Sequence, residues 1–167
     1  MKMNETVAAA LNQQINSELN ASYIYLSMAA YFDSIELPGF ATWFRGHSKE
    51  EVEHGMRIYD FIVKRDSRVE LEGIDKPQLD FDSPTDVLET ALAKEKEVTA
   101  QINALFELAH EQKEYSTQNM LHWFLEEQIE EEDLFRSILE KVKAAEGNRW
   151  HMLMLDSELG KHKLPQG

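Results

Sequence analysis

Glu50-Glu51-Val52-Glu53-His54 lies in the middle of a long amphipathic segment, and within it Glu51 and His54 stand one helical turn apart. Both side chains therefore leave the same face of a helix. The rest of that face is apolar or aromatic. Steps of four and three give Phe40, Phe44, His47, Glu51, His54, Ile58 and Phe61, a heptad seam with a carboxylate and an imidazole at its centre. Burying an unpaired charge costs several kcal/mol even after relaxation, so such groups persist in a core when they are paired, hydrogen-bonded or holding a metal.

Three further seams carry the same kind of interruption. The first runs Val7, Leu11, Ile15, Glu18, Ser22, Tyr25, Ala29, with one carboxylate and, two turns on, a phenol. A later one reads Leu88, Ala91, Glu95, Val98, Ile102, Leu105, Ala109, again with one glutamate. The last is Thr117, Leu121, Phe124, Gln128, Glu131, Phe135, Ile138, Val142, with Gln128 and Glu131 one turn apart. In an antiparallel bundle mid-helix positions share one level, so Glu18, Glu51, His54, Glu95, Gln128 and Glu131 converge. One Glu from each of two helices plus Glu-x-x-His from the others is the donor set of di-iron carboxylate bundles, and three of the four helices here match it. Four carboxylates balance two divalent cations, which predicts a bimetallic site and iron as the metal suited to mixed oxygen and imidazole ligation. Glu50, Glu127 and Glu130 flank these positions and could hold a third ion. Tyr25 is expected to hydrogen-bond a ligand carboxylate, Trp123 to pack, and His47 to be a hydrogen-bonded core residue. His110, His122, His151 and His162 show no pairing pattern.

Composition narrows the chemistry. The 167 residues include no Cys, which removes disulfides, zinc ribbons and iron-sulfur ligation and leaves oxygen and imidazole as ligands. A net charge of -14 argues against nucleic acid or an anionic membrane as partner and favours cations. No apolar run is long enough to span a bilayer, and the first residues form no signal-peptide block, so a cytoplasmic protein is expected.

The elements that must position these groups follow from the punctuation. A helix from Asn4 to about Asp33 is followed by a break ending in Pro38-Gly39, and a second helix runs from about Pro38 to Arg65. So short a connection makes the two antiparallel neighbours. Asp66 to Ser83 has no helical period. At about 3.3 Å per residue this stretch can return along a helix of about 40 Å, so it reads as a long crossover. Ser83-Pro84 opens a third helix, the period loosens across Glu111-Glu114, and Gly147-Asn148 ends a fourth. Trp150 to Leu159 then forms a short apolar helix that cannot hide its surface alone and is expected to pack into an assembly. The expected architecture is all-α: an antiparallel four-helix bundle over 1–147 with a long crossover between the second and third helices, and a short fifth helix and polar tail over 148–167 in the same domain.

Asn-Ser-Glu-Leu around Glu18, Tyr-Leu-Ser-Met after it, Glu-Glu-Val-Glu-His, Glu95, and Glu-Glu-Gln-Ile-Glu-Glu-Glu from Glu126 to Glu132 together resemble the ferritins, in particular the bacterial non-haem type. The resemblance covers nearly the whole chain. It implies a homo-oligomeric shell of 24 subunits that oxidises iron(II) with dioxygen or hydrogen peroxide and stores iron(III) as a mineral. It further implies one iron held by Glu18, Glu51 and His54, a second bridged by Glu51 and held by Glu95 and Glu131 with Gln128 nearby, and an additional site at Glu50, Glu127 and Glu130. The fourth helix lacks the Glu-x-x-His pair of bacterioferritin, and Val52 stands where that family's haem-binding Met would be, so no haem is expected. Gln118 and Leu121 replace acidic channel residues of animal ferritins. A di-iron oxygenase or peroxidase of the rubrerythrin kind, and a helical bundle without chemistry, are the competing readings.

Overall fold

In a computed structural model, which describes residues 2–161, the chain forms five α-helices: α1 (Glu5–Ser34), α2 (Pro38–Lys64), α3 (Pro84–Glu111), α4 (Tyr115–Ala145) and α5 (Arg149–Gly160). The tail expected after Gly160 falls mainly on 162–167, with His162, outside the described residues. Local chemistry sets the helix starts. Asn4 accepts hydrogen bonds from the Thr6 and Val7 N–H groups, Ser83 accepts from Asp86, and Asn148 accepts from His151, each satisfying donors that an α-helix leaves open at its N-terminus. Three C-termini close through a residue in left-handed conformation that is not glycine: Glu36, Asp66 and Lys113. The following N–H then reaches back five residues, from Leu37 to Phe32, Ser67 to Ile62 and Glu114 to Ala109, which satisfies the last carbonyls.

The four predicted seams are the buried stripes. The expected positions on α1, α3 and α4 are all buried, and on α2 the stripe holds from Phe40 to Ile58. It then shifts by one residue, so that Ile62 is enclosed and Phe61 half-buried. A straight helix of 3.6 residues per turn drifts about 20° per heptad from a seven-residue repeat, and by the sixth turn of α2 the drift exceeds half a residue step, which brings Ile62 closer to the core than Phe61. α1 packs chiefly on α2 and α3 on α4, with α1 and α3 also in contact. Between α2 and α3 the crossover runs back along α1. Asn12 bonds Arg68 and Glu70, Asn16 bonds the Gly73 carbonyl, and Ser27 bonds the Gln78 carbonyl.

The core is divided. One apolar cluster, rich in aromatics, gathers Phe32, Phe40, Phe44, Trp43 and Phe135; the other is mostly aliphatic, with Leu11, Ile15, Ile58, Ile102 and Leu121. Glu18, Glu51, His54, Glu95, Gln128 and Glu131, all buried, lie on the same stripes between them. Among the described residues, no helix is long and apolar enough to cross a membrane.

α5 is tied to the start of α2. Leu37 supplies no side-chain cap there, and the buried Asp156 of α5 instead accepts a hydrogen bond of 2.8 Å from the Phe40 N–H. A Cβ on Gly39 would meet the Asp156 carbonyl oxygen at 1.8 Å, and one on Gly160 would meet the Gly39 Cα at 3.1 Å, so the two helices approach at bare backbone. Met152, Leu155 and Leu159 are buried by this docking, whereas Trp150 and Met154 remain 69% and 57% exposed. Asp156→Ala strands a buried N–H and is expected to cost about 1–3 kcal/mol. Asp156→Asn, which keeps an acceptor, should retain most of that stability, and Gly39→Ala should release α5 altogether. Thermal unfolding together with limited proteolysis of the C-terminal helix distinguishes these outcomes; equal stability of Asp156→Ala and wild type would disprove the capping role.

Candidate metal centre

Each helix brings its polar residues to the middle of the bundle because the apolar seam fixes its rotation, and the side chains then meet. His54 Nδ1 lies 3.4 Å from Glu51 Oε2 and 3.9 Å from Glu18 Oε2, so α1 and α2 form a buried Glu18, Glu51, His54 group whose ligand atoms lie within 4.8 Å of one another. From α3, Glu95 is gripped at both oxygens. Tyr25 O–H donates to Oε1, and the Gln128 amide nitrogen donates to Oε2 at 3.1 Å while also bonding the Glu95 carbonyl and Thr99 Oγ1. Thr99 in turn donates to Glu132 at 2.6 Å, a link that tightens α3 against α4. Glu131 completes the layer from α4.

The electrostatics are those of crowded carboxylates. Burial and the neighbouring Glu18 and Glu95 carboxylates hold Glu51 well above the usual carboxylate range. Burial, then repulsion by Glu95 and Glu50, pushes Glu131 up to about 10. Glu95 rises only to about 7, because the donors Tyr25 and Gln128 offset much of its burial. Burial lowers His54, leaving a neutral imidazole with a lone pair to offer, and the Tyr25 phenol is raised by burial and by Glu95, so it stays an O–H donor. Glu18 Oε2, His54 Nδ1 and Glu131 Oε2 are buried without a hydrogen-bond partner among the described residues. Buried polar atoms in native proteins are nearly always satisfied, so three orphaned acceptors in one layer point to a cation. Among the described residues, no Lys or Arg is buried to supply that charge.

The flanking residues divide. Glu50 is half-buried and raised to about 7 by burial and by Glu127 and Glu53. Glu127 is also half-buried, with Oε1 3.9 Å from His54 Nε2. Glu130 is exposed. His47, read from the sequence as a hydrogen-bonded core residue, lies 3.6 Å from Glu131 and 3.8 Å from Glu50 and forms with them a second group able to hold a cation. Its place on the seam one turn before Glu51 puts it near the layer, while its distance from Glu131 is set by the packing of α4 on α2. Trp123 packs as expected, edge-on to His54, and carries the Arg57 guanidinium 3.8 Å above its ring. Two supports escaped the sequence reading. Thr99 sits one turn after Glu95, and Gln14, one turn before Glu18, donates to Glu18 Oε1 at 3.2 Å.

Comparison with known proteins agrees with this geometry. The family profile described as a ferritin-like domain matches residues 8–145. A bacterial non-heme ferritin of Staphylococcus aureus is 35% identical over 158 residues, 95% of each chain, and one of Staphylococcus epidermidis is 40% identical over 135 residues, 81% of each. The open-pore ferritin of the hyperthermophilic archaeon Archaeoglobus fulgidus superposes with a TM-score of 0.96 at 40% identity, covering 97% of this chain and 100% of that one. A closed form of the same protein, engineered by site-directed mutagenesis, superposes equally well at 39% identity, covering 98% and 100%. With the family model matched over residues 8–145 and relatives of 35–40% identity matched over most of its length, the chain belongs to the ferritin family.

Proposed function

We propose that this chain is a cytoplasmic iron-storage subunit with ferroxidase activity, which oxidises iron(II) in the bundle and delivers iron(III) to a mineral inside a homomeric shell of 24 copies. The observation that carries the reading is the buried layer of four glutamates and a histidine with, among the described residues, no buried Lys or Arg beside it. Two ferrous ions supply the four positive charges that the layer lacks. In this reading Glu18, Glu51 and His54 hold one ion, while Glu51 bridges to a second held by Glu95 and Glu131 with Gln128 beside it. A third, weaker position is proposed at Glu50 and Glu127. The grouping of His47 with Glu50 and Glu131 supports it, and Glu130 must turn inward to join.

Iron is the substrate here, and the protein sets geometry and charge. Each iron(II) gives up one electron. Dioxygen takes two electrons and two protons to give hydrogen peroxide, or hydrogen peroxide takes two electrons and two protons to give two waters. The protons displaced from the carboxyl groups as iron binds are available at the site. Tyr25 and Gln128 hold Glu95 in one orientation throughout, so beside the bridging Glu51 the second position has one fixed and one movable carboxylate. A neutral amide in place of a further anion there favours onward transfer once the charge of the ion has risen. The exposed apolar surface of α5, at Trp150 and Met154, suits burial between subunits.

Glu51→Ala removes the bridging carboxylate and is expected to slow aerobic iron(II) oxidation by roughly 100-fold. Gln128→Glu should instead retain iron(III) at the site, seen as slower regeneration after stoichiometric loading. Wild-type oxidation rates in Glu51→Ala, or a gel-filtration mass near 19.4 kDa with no mineral cores by electron microscopy after loading, would remove the assignment.

The carboxyl groups also set a pH dependence. Glu95 and Glu50 at about 7 and Glu131 at about 10 all lie above their ordinary 4.5, so the folded metal-free chain binds more protons than the unfolded one. Their contribution to stability is complete below about pH 4.5 and is lost as pH rises through about 7 and beyond. The melting temperature of metal-free protein should therefore fall between about pH 5 and about pH 8, with a shallower fall in Glu95→Gln and Glu131→Gln. Calorimetric titration with cobalt(II) under argon, repeated in buffers of different ionisation enthalpy, should register proton release at neutral pH.

A further inference from the structure

Between α1 and α3 lies a cleft of about 240 Å³ whose lining includes Ala10, Gln14, Ser17, Gln101, Ala104 and Leu105. Its volume is several times the roughly 30 Å³ that one water molecule occupies in the liquid, so it admits a small molecule. Gln14 is the buried polar residue of its lining. That side chain is 4% exposed and borders the cleft, yet its amide nitrogen donates to Glu18 Oε1 at 3.2 Å and to Gln101 Oε1 on α3 at 3.3 Å. Gln101 turns its own amide nitrogen outward to Glu97 at 3.4 Å. Gln14 therefore touches both the cleft and a carboxylate oxygen of the proposed centre, and its bonds to Glu18 and to the Gln101 amide hold it in place between two helices.

The lining decides what could pass. It contains amides, one hydroxyl and aliphatic groups, and no charged side chain. A ferrous ion entering it would lose hydration with no carboxylate in return, whereas a small uncharged molecule gives up little. Ala10, Ser17 and Ala104 keep the cleft open by being small.

From this arrangement we infer that the α1–α3 cleft is the route by which a small uncharged oxidant, dioxygen or hydrogen peroxide, reaches the bundle centre, with the Gln14 amide as its door. Swinging the Gln14 side chain breaks one amide–carboxylate and one amide–amide hydrogen bond, both long, and no ion pair, and it uncovers Glu18 Oε1. Gln14 is thus a positioning residue in the closed state and a gate in the open one. The inference rests on the ferroxidase reading above.

Ala104 is exposed, so a bulky side chain there fills the cleft without entering the core. In stopped-flow mixing of iron(II)-loaded protein with either oxidant, Ala104→Trp is expected to lower kcat/KM for that oxidant roughly tenfold and to leave kcat at saturating oxidant unchanged. Ala104→Ser, equally polar-tolerant but small, should behave as wild type, and Gln14→Ala should raise kcat/KM. A reduction with only one oxidant assigns the cleft to that oxidant. Wild-type kcat/KM with both oxidants in Ala104→Trp overturns the route. Anaerobic cobalt(II) titration separates the two levels of the argument. Two ions bound per chain in both wild type and Ala104→Trp, with no kinetic effect of the plug, sinks the route alone; no paired binding in the wild type removes the metal centre and the route together.

Discussion

Carboxylates buried together with no buried Lys or Arg among the described residues are the constraint on which the rest of this structure depends. Glu18, Glu51, Glu95 and Glu131 are each enclosed in the bundle, and repulsion among them, added to desolvation, raises every one of the three whose shift is resolved. A protein core does not tolerate such a layer for its stability: well-packed hydrophobic residues in the same places would serve better. The layer interrupts what would otherwise be one continuous core and leaves two apolar clusters, one aromatic and one aliphatic, to hold the helices from either side. Those clusters make the strain affordable, since each locks the rotation of all four helices and prevents the glutamates from turning out to water.

Within the layer the glutamates are not equivalent, and the differences trace to neutral neighbours. Glu95 has a phenol at one oxygen and an amide at the other, so it is pinned and only moderately raised. Glu131 has an orphaned oxygen and is raised furthest among those with a stated value. A pinned carboxylate offers a ligand of fixed direction, and an unpinned one offers a ligand that can follow an ion. Gln14 does for Glu18 what Tyr25 and Gln128 do for Glu95, but from the side that faces an open cleft. The supports are hydrogen-bond donors of no net charge, which orient the acids without neutralising them and so leave the charge of the layer to the proposed metal ions.

The C-terminal helix shows a second use of bare backbone. Gly39 and Gly160 allow α5 to approach the start of α2 closely enough for Asp156 to cap a helix whose own N-cap residue, Leu37, cannot. Docking buries one side of α5 and presents the other, with Trp150 and Met154 outward, which ties the integrity of a bundle helix to the element that faces other copies in the proposed shell.

Much of this was legible in the amino-acid order. Heptad steps through Glu18, Glu51, Glu95 and Glu131 identify the helices, their buried faces and the level at which the acids meet, because helical periodicity and the cost of burying charge are both local rules. The absence of cysteine and the excess of acid limit the ligands in the same way. Tertiary structure alone decided the rest. Whether His47 serves the core or an ion depends on where α4 places Glu131, and no spacing within α2 encodes that distance. The grip of Gln128 on Glu95, the Thr99 to Glu132 link and the Gln14 partition all join residues on different helices. Their partners are set by how side chains interdigitate across an interface, a property of packed surfaces that a one-dimensional pattern does not contain.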